Sequence, residues 1–301
     1  MAWRKRMSVP EAIFRTGNYV LIAVLVLSIV LPFVHILALS VNDGADAARG
    51  GIGLLPRKLS LENYGEVFGD PYILNSYKIT FLRVVVGTSL SVLLTAMAAY
   101  ALKVKTLPGR KLWAAMLLFS MLFSGGIVPY YLVLKRIGLT NTFWVYVIPF
   151  LYNAWNIFLM RTFFLSISES LEESAMLDGA NHLRIFFSLI LPLSKPILSV
   201  IALFNGVGHW NDWFSGTFYV SDKELHPLQT VLRAMLMSAE ALRKRMVIVT
   251  ANYAPQDARL SVTTESLKMA TIIAATVPVV CLYPFIQRYF VQGVMIGSLK
   301  E

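Results

Sequence analysis

Asn205, His209 and Asp212 stand at i, i+4 and i+7 in an otherwise apolar stretch. On a helix this spacing puts an amide, an imidazole and a carboxylate on one face. Asn153 and Asn156 share a face in an earlier apolar stretch, with Trp155 and Trp210 near the two sets. Such groups can bond hydroxyls and lie against rings, and these faces could line a path for a polar solute. The same asparagines can instead bond helix to helix, with Trp210, Asp212 and Trp213 in an interfacial belt. Both readings stand on the sequence. Arg83 adds a guanidinium inside a further apolar run, a costly position unless the side chain snorkels or faces water.

Catalytic chemistry finds no comparable support. The four histidines, His35, His182, His209 and His226, are scattered, and neither H-E-x-x-H nor G-x-S-x-G occurs. A single cysteine, Cys281, excludes an intramolecular disulfide framework and a cysteine-cluster metal site. No segment matches the phosphate-cradling G-x-x-x-x-G-K-S/T pattern, and Gly206 with Gly208 is a lone G-x-G with no strand before it. The chain is therefore expected to be no enzyme and to hold no metal or cofactor of its own.

The elements that position these residues follow from the solvent. Of 301 residues, 56% are hydrophobic and 15% charged, with a mean hydropathy of +0.63, whereas a soluble domain carries about a quarter charged residues. A bilayer span needs roughly 20 predominantly apolar helical residues, because lipid satisfies no backbone group. Six stretches qualify: Asn18 to Ser40, Ile79 to Leu102, Leu112 to Leu134, Thr142 to Phe164, Pro196 to Trp213 and Leu267 to Tyr289. The expected fold is all-α, a polytopic membrane bundle of six transmembrane helices in one domain over residues 1–301. The first stretch follows Arg4, Lys5 and Arg6, but its apolar run, Tyr19 to Leu39, exceeds the roughly 7 to 15 residues of a signal core. It is read as a retained span.

Lys and Arg accumulate in cytoplasmic loops. With the N-terminus inside, the inner segments hold Arg4, Lys5, Arg6 and Arg15, then Lys103, Lys105, Arg110 and Lys111, then Arg161, Arg184 and Lys195, then Arg288 and Lys300. Both termini are thus expected in the cytoplasm. The net charge of +10 then reflects topology and gives no reason to invoke nucleic acid. Outside, residues 41–77 read as a structured surface loop. A second outer segment, about 214–266, contains an amphipathic helix over Pro227 to Met246.

An inner segment, about 166–193, is too polar to be embedded. Ser168 is placed to cap a helix whose first turns carry Glu169, Glu172 and Glu173, charges that suit the helix dipole. Ser174, Ala175, Gly179 and Ala180 then form a run of small residues that lets another surface come close. Pro192 and Pro196 close the segment and start the next span. A helix-turn-helix with a contact face and a mere connector both fit these facts.

Glu173, Ser174 and Ala175, then Gly179, then Leu189, Ile190, Leu191 and Pro192 keep the spacing E-A-A, three residues, G, nine residues, I-x-L-P. This resembles the EAA loop of ABC importer permeases, with Ser174 in place of the first Ala and Leu189 in place of Ile. The likeness extends to GGIVPYYLVLKRIGLTNTFW from Gly125, FLMRTFF from Phe158, AAYAL from Ala98 and the segment from Leu267 to Lys300. It covers roughly Asn75 to Glu301 and points to the carbohydrate branch, in particular permeases for oligosaccharides such as alginate or pectin fragments.

The resemblance implies the type I ABC importer permease fold, in the bacterial cytoplasmic (inner) membrane. It makes the EAA loop a coupling helix, with Glu173, Ala175 and Gly179 as coupling residues and Ser174, Asp178 and Ala180 beside them. It implies a second permease, two ATPase subunits that carry ATP and Mg, and an extracytoplasmic solute-binding protein. The tail Gly297 to Glu301 resembles one that reaches the ATPase. An importer of amino acids or another solute shares the loop, and a secondary transporter remains the alternative from another class. Arg233, Arg243, Lys244, Arg245 and Arg259 in the outer segment, with Lys78, Arg83 and Lys268 near span ends, suggest a basic vestibule for an acidic oligosaccharide. Asp222, Glu224, Glu240, Asp257 and Glu265 can neutralise it locally, and an acidic binding protein would explain the same charges.

Overall fold

The computed structural model describes residues 9–249, 263 and 265–281, with helix throughout and, among them, no strand beyond one isolated bridge between Asn42 and Leu59. The all-α expectation holds. The tail from Gly297, together with Arg259, Asp257, Lys300 and the first basic cluster, lies outside the described residues, as do the side chains of Glu240, Arg243, Lys244 and Arg245. Contacts divide the chain into two compact units, Met1–Asp70 with Met235–Ala274, and Pro71–Ala234 with Ala275–Glu301.

In the first unit, α1 (Val9–Ser40) spans 32 residues. At 1.5 Å per residue it is longer than the roughly 30 Å hydrocarbon core. Residues 19–33 are all exposed and, but for Ser28, apolar or aromatic, which suits a helix whose solvent is lipid. After it, Asp43 caps α2 (Gly44–Ala48), its carboxylate accepting from Asp46 N at 3.0 Å. The following loop is ordered by side chains that add to the backbone pairing of the Asn42–Leu59 bridge. Asn42 Oδ1 accepts from Arg57 N and Lys58 N, both at 2.9 Å, and Asn63 of α3 (Glu62–Gly69) donates to the carbonyls of Ser40 and Asn42. Lys58 bonds the Asp43 carboxylate at 2.8 Å and holds it below the usual carboxylate range. Residues 41–61 are thus an ordered loop, whereas the rest of the expected outer loop, 62–77, is α3 and the first turns of α4.

The second unit is organised on α4 (Pro71–Lys103), 33 residues long. The stretch Leu112 to Leu134, expected as one span, is two helices, α5 (Arg110–Leu122) and α6 (Ile127–Arg136), inclined at 119°. Gly126 adopts φ +83° between them, where a side chain is disfavoured, and Pro129 falls in the first turn of α6. The next expected span opens as 3-10 turns at Phe143–Tyr146 and Ile148–Phe150, then bends by 46° into α7 (Ala154–Leu165). Asn153 makes that break, its Oδ1 accepting from Asn156 N at 3.1 Å.

Beyond α7 come α8 (Glu169–Leu177), α9 (His182–Ile185), a π turn at Phe186–Ile190 and α10 (Leu191–Leu193). An 82° bend then leads into α11 (Lys195–Asn211). The chain continues through α12 (Phe214–Tyr219) and α13 (Leu228–Val249), and residues 265–281 form α14. In α13, Leu228, Val231 and Leu232 are buried while Leu236 and Met237 are exposed, so the apolar stripe seen in the sequence is used only at its start. Among the described residues two helices, α1 and α4, are long and apolar enough to cross a membrane, and the number rises to as many as five where each of the three bent pairs counts as one span. The sixth expected stretch, Leu267 to Tyr289, is described only as far as Cys281.

The main core of the second unit gathers Ala96, Ala99 and Tyr100 of α4, Met160 and Phe164 of α7, Phe186 and Ile190 of the π turn, and Ile201 of α11. In lipid the drive for this assembly is close packing more than removal from water. Small residues on α4 let its neighbours approach. The result fixes α8 and α9 beside the C-terminal end of α4.

Candidate functional site

Two polar regions stand out in the second unit. One is a seam between α4 and α11, where Arg83, Gly87 and Ser91, four residues apart on α4, meet Asp212, His209 and Asn205 in reverse order. Arg83 Nη2 donates to Asp212 Oδ2 at 2.6 Å and Nη1 to the Asp212 carbonyl at 3.1 Å. Its guanidinium also lies 4.6 Å from the centre of the Tyr146 ring. The other Asp212 oxygen accepts from the Phe214 and Ser215 amides and starts α12. Sequence reasoning had Arg83 reaching water. The structure buries it completely, pairing its two terminal nitrogens with a carboxylate and a carbonyl and its face with a ring, while Nε has no hydrogen-bond partner.

The middle rung is steric. A Cβ on Gly87 would stand 2.5 Å from His209 Nε2, so the imidazole occupies the space that glycine leaves open on α4. The third rung is a relay: Asn156 Nδ2 of α7 donates to Asn205 Oδ1 at 3.0 Å, and Asn205 Nδ2 donates to Ser91 Oγ at 2.9 Å. One helical face thus carries Asn205, His209 and Asp212, as their spacing required, and it is turned toward α4.

Beside the seam lies an open cavity of about 220 Å³ walled by Arg83, Tyr152, Asn153, Asn205, Gly208 and His209 together with two phenylalanines. Asn153, Tyr152 and Gly208 are exposed there, whereas Asn156 is buried between helices. Of the residues singled out in the sequence, the structure therefore brings Arg83, Asn153, Asn205 and His209 to one cavity. Trp155 is 61% exposed on α7. Trp210 is half-buried and donates to the Ala275 carbonyl at 3.0 Å.

The second region is α8. Ser168 sits at its cap position, but its hydroxyl pairs with Ser170 Oγ at 2.7 Å and makes no bond to a backbone amide of the helix. The far end is closed by the backbone. Gly179 has φ +80°, Gly179 N donates to Met176 O at 3.0 Å and Ala180 N to Ala175 O at 2.9 Å. This paired closure needs a left-handed residue after the cap, which is why glycine stands there. A Cβ on Gly179 would meet nothing within 4 Å inside the chain.

Glu173, Ser174, Asp178 and Gly179 are exposed, Leu177 projects at 90% exposure, and Ala175 and Ala180 are half-buried against the core. Glu172 points the other way. It is buried, paired with Lys103 and bonded by Tyr100 at 3.2 Å. Lys105 bonds Glu169 at 2.8 Å in the open and holds that carboxyl below its ordinary range. From the sequence alone, Glu172 had only a dipole role and Lys103 only a topology role. Their 69-residue separation carries no local signal of the pair.

Comparison with known proteins adds the context that this geometry lacks. Residues 4–296 match the family model described as binding-protein-dependent transport system inner membrane component. The polygalacturonan/rhamnogalacturonan transport system permease protein YtcP of Bacillus subtilis (strain 168) is 36% identical over 271 residues, 90% of this chain and 92% of that one. The arabinooligosaccharides transport system permease protein AraQ of Halalkalibacterium halodurans is 25% identical over 280 residues, covering 90% of this chain and 91% of that protein. Among solved structures, a chain of a bacterial ABC transporter involved in the import of the acidic polysaccharide alginate superposes with a TM-score of 0.85. Its sequence identity is 31%, over 95% of this chain and 99% of that chain. The chain therefore belongs to the binding-protein-dependent transport system inner membrane components, the ABC importer permeases, as a non-catalytic membrane subunit that works with a second permease, ATPase subunits and a solute-binding protein.

Proposed function

We propose that this permease imports oligosaccharides, and acidic ones in particular, with α8 as the helix that couples it to ATP hydrolysis. In this reading ATP and Mg are bound by partner subunits, both termini of this chain lie in the cytoplasm, and α8 faces the ATPase. The edge formed by Glu173, Ser174, Leu177, Asp178 and Gly179 supports the coupling role, because a 90% exposed leucine beside a backbone turn is a contact without an occupant inside the chain. Ala175 and Ala180 seat that edge on the core.

The substrate reading assigns a path to the polar seam and its cavity. Asn153, Asn205 and His209 supply hydrogen-bonding groups to hydroxyls, Trp155 and Trp210 offer ring faces, and Asn156, Asp212 and Arg83 hold the wall in place. The observation that carries the acidic preference is the 0.85 TM-score at 31% identity to a chain from an importer of an acidic polysaccharide. The transport system named for YtcP is likewise one for polygalacturonan and rhamnogalacturonan.

The test uses the complete transporter with its binding protein in liposomes, comparing uronate oligomers with neutral oligomers of equal length. Uronate is expected to raise ATP hydrolysis about tenfold more than the neutral sugar, in the range of ordinary coupling energies. Equal or greater stimulation by the neutral sugar would refute the acidic preference and leave the oligosaccharide reading standing.

A further inference from the structure

We infer that Glu172, Lys103 and Tyr100 form a buried clasp that makes α8 and the end of α4 move as one body, so that Glu172 is a positioning residue for coupling. The inference rests on α8 being the ATPase-coupling helix and names the joint through which it acts. Glu172 and Glu173 are neighbours with opposite settings. Glu173 is exposed, whereas Glu172 is 8% exposed.

Both oxygens of the buried carboxylate are engaged from α4. Lys103 Nζ bonds Oε1, and Tyr100 OH donates to Oε2 at 3.2 Å. The same hydroxyl lies 3.4 Å from His182 Nδ1, beyond the Gly179 turn, so one tyrosine touches both sides of the helix-turn-helix. On the other flank, Arg161 Nε of α7 donates to the Leu102 carbonyl at 3.0 Å. The end of α4 is thus held from three elements.

Only 5% of the Lys103 side chain and 11% of the Glu172 side chain meet solvent, so water screens their attraction poorly. Separating them would leave each charge uncompensated in a shielded place. A displacement imposed on α8 is therefore resisted at the joint and passed to α4. Because α4 is one unbroken helix, the same body carries Arg83, Gly87 and Ser91 in the polar seam. Lys105 with Glu169 serves as an internal control, since those side chains are 70% and 57% exposed and pair in water, where such contacts hold little.

The experiment measures solute moved per ATP hydrolysed in the complete transporter reconstituted in liposomes. Four forms are compared with the parent: Glu172→Gln, Lys103→Gln, the exchange Lys103→Glu with Glu172→Lys, and Glu169→Gln. Each single change in the clasp is expected to cut the ratio about tenfold while hydrolysis continues, with the exchange recovering most of it and Glu169→Gln staying within about twofold. An unchanged ratio in the two single forms overturns the clasp, and so does an exchange form no better than the singles in assembled complexes. Single forms that fail to co-purify with the ATPase, while the exchange form does, make the pair a folding element and overturn it as well. Cross-linking from Leu177→Cys to the ATPase separates the two levels. No cross-link in the otherwise unchanged transporter refutes α8 as the coupling helix, whereas a cross-link with an unchanged ratio refutes the clasp alone.

Discussion

Glycine at position 179 has two physical explanations that single substitutions can separate. The sequence suggested a small residue that lets another surface approach, and the structure adds a left-handed backbone at φ +80° with open space where a Cβ would be. Alanine is small but resists that conformation by roughly 1–2 kcal/mol, while asparagine is larger and adopts it more readily. If backbone geometry dominates, Gly179→Asn retains more ATP-linked transport than Gly179→Ala, which falls about fivefold, as a cost near 1 kcal/mol implies. The reverse order, alanine better than asparagine, would show that close contact with the partner governs the site. Arg83 teaches a similar lesson. Its cost inside an apolar run was legible from the sequence, but its partner Asp212 was not, because they lie 129 residues apart. Periodicity located the face that carries Asp212 and could not say which helix it would meet.

At the scale of elements, the apolar stretches were readable and their breaks were less so. The 119° bend between α5 and α6 comes from Gly126 in a left-handed conformation, a property of the backbone that hydropathy averages away. The 46° bend before α7 comes from a local capping bond by Asn153, a residue noticed in the sequence for its polarity alone. The motif around Gly179 was found by spacing, and the structure supplied the reason for it in the closure of α8. The proposed side of the membrane for each element rests on the charge count and is open to direct test. Ser170 on α8 and Ser238 on α13 are both exposed, so a cysteine at either position, with the chain's own Cys281 replaced by serine, reports accessibility directly. In intact inverted and right-side-out vesicles, an impermeant thiol reagent should reach Ser170→Cys only from the cytoplasmic side and Ser238→Cys only from the outer side. Labelling of both from one side would refute the assigned orientation.

As a whole molecule, this chain is proposed to be a path and a lever whose energy comes from elsewhere. No phosphate-binding loop occurs in its 301 residues, and the seam, the cavity and the clasp are devices for position and hydrogen bonding. In the proposed function, ATP acts through partner subunits that meet α8. A secondary transporter would instead run on an ion gradient and ignore ATP. The two mechanisms differ in one measurement: uptake of a labelled oligouronate into liposomes that contain the complete transporter, with binding protein outside the vesicles and ATP supplied at the face of the ATPase subunits. Uptake is predicted to require both ATP and the binding protein, and to fall to background when a non-hydrolysable nucleotide replaces ATP. Uptake that persists without hydrolysis and follows an imposed proton or sodium gradient would contradict the account.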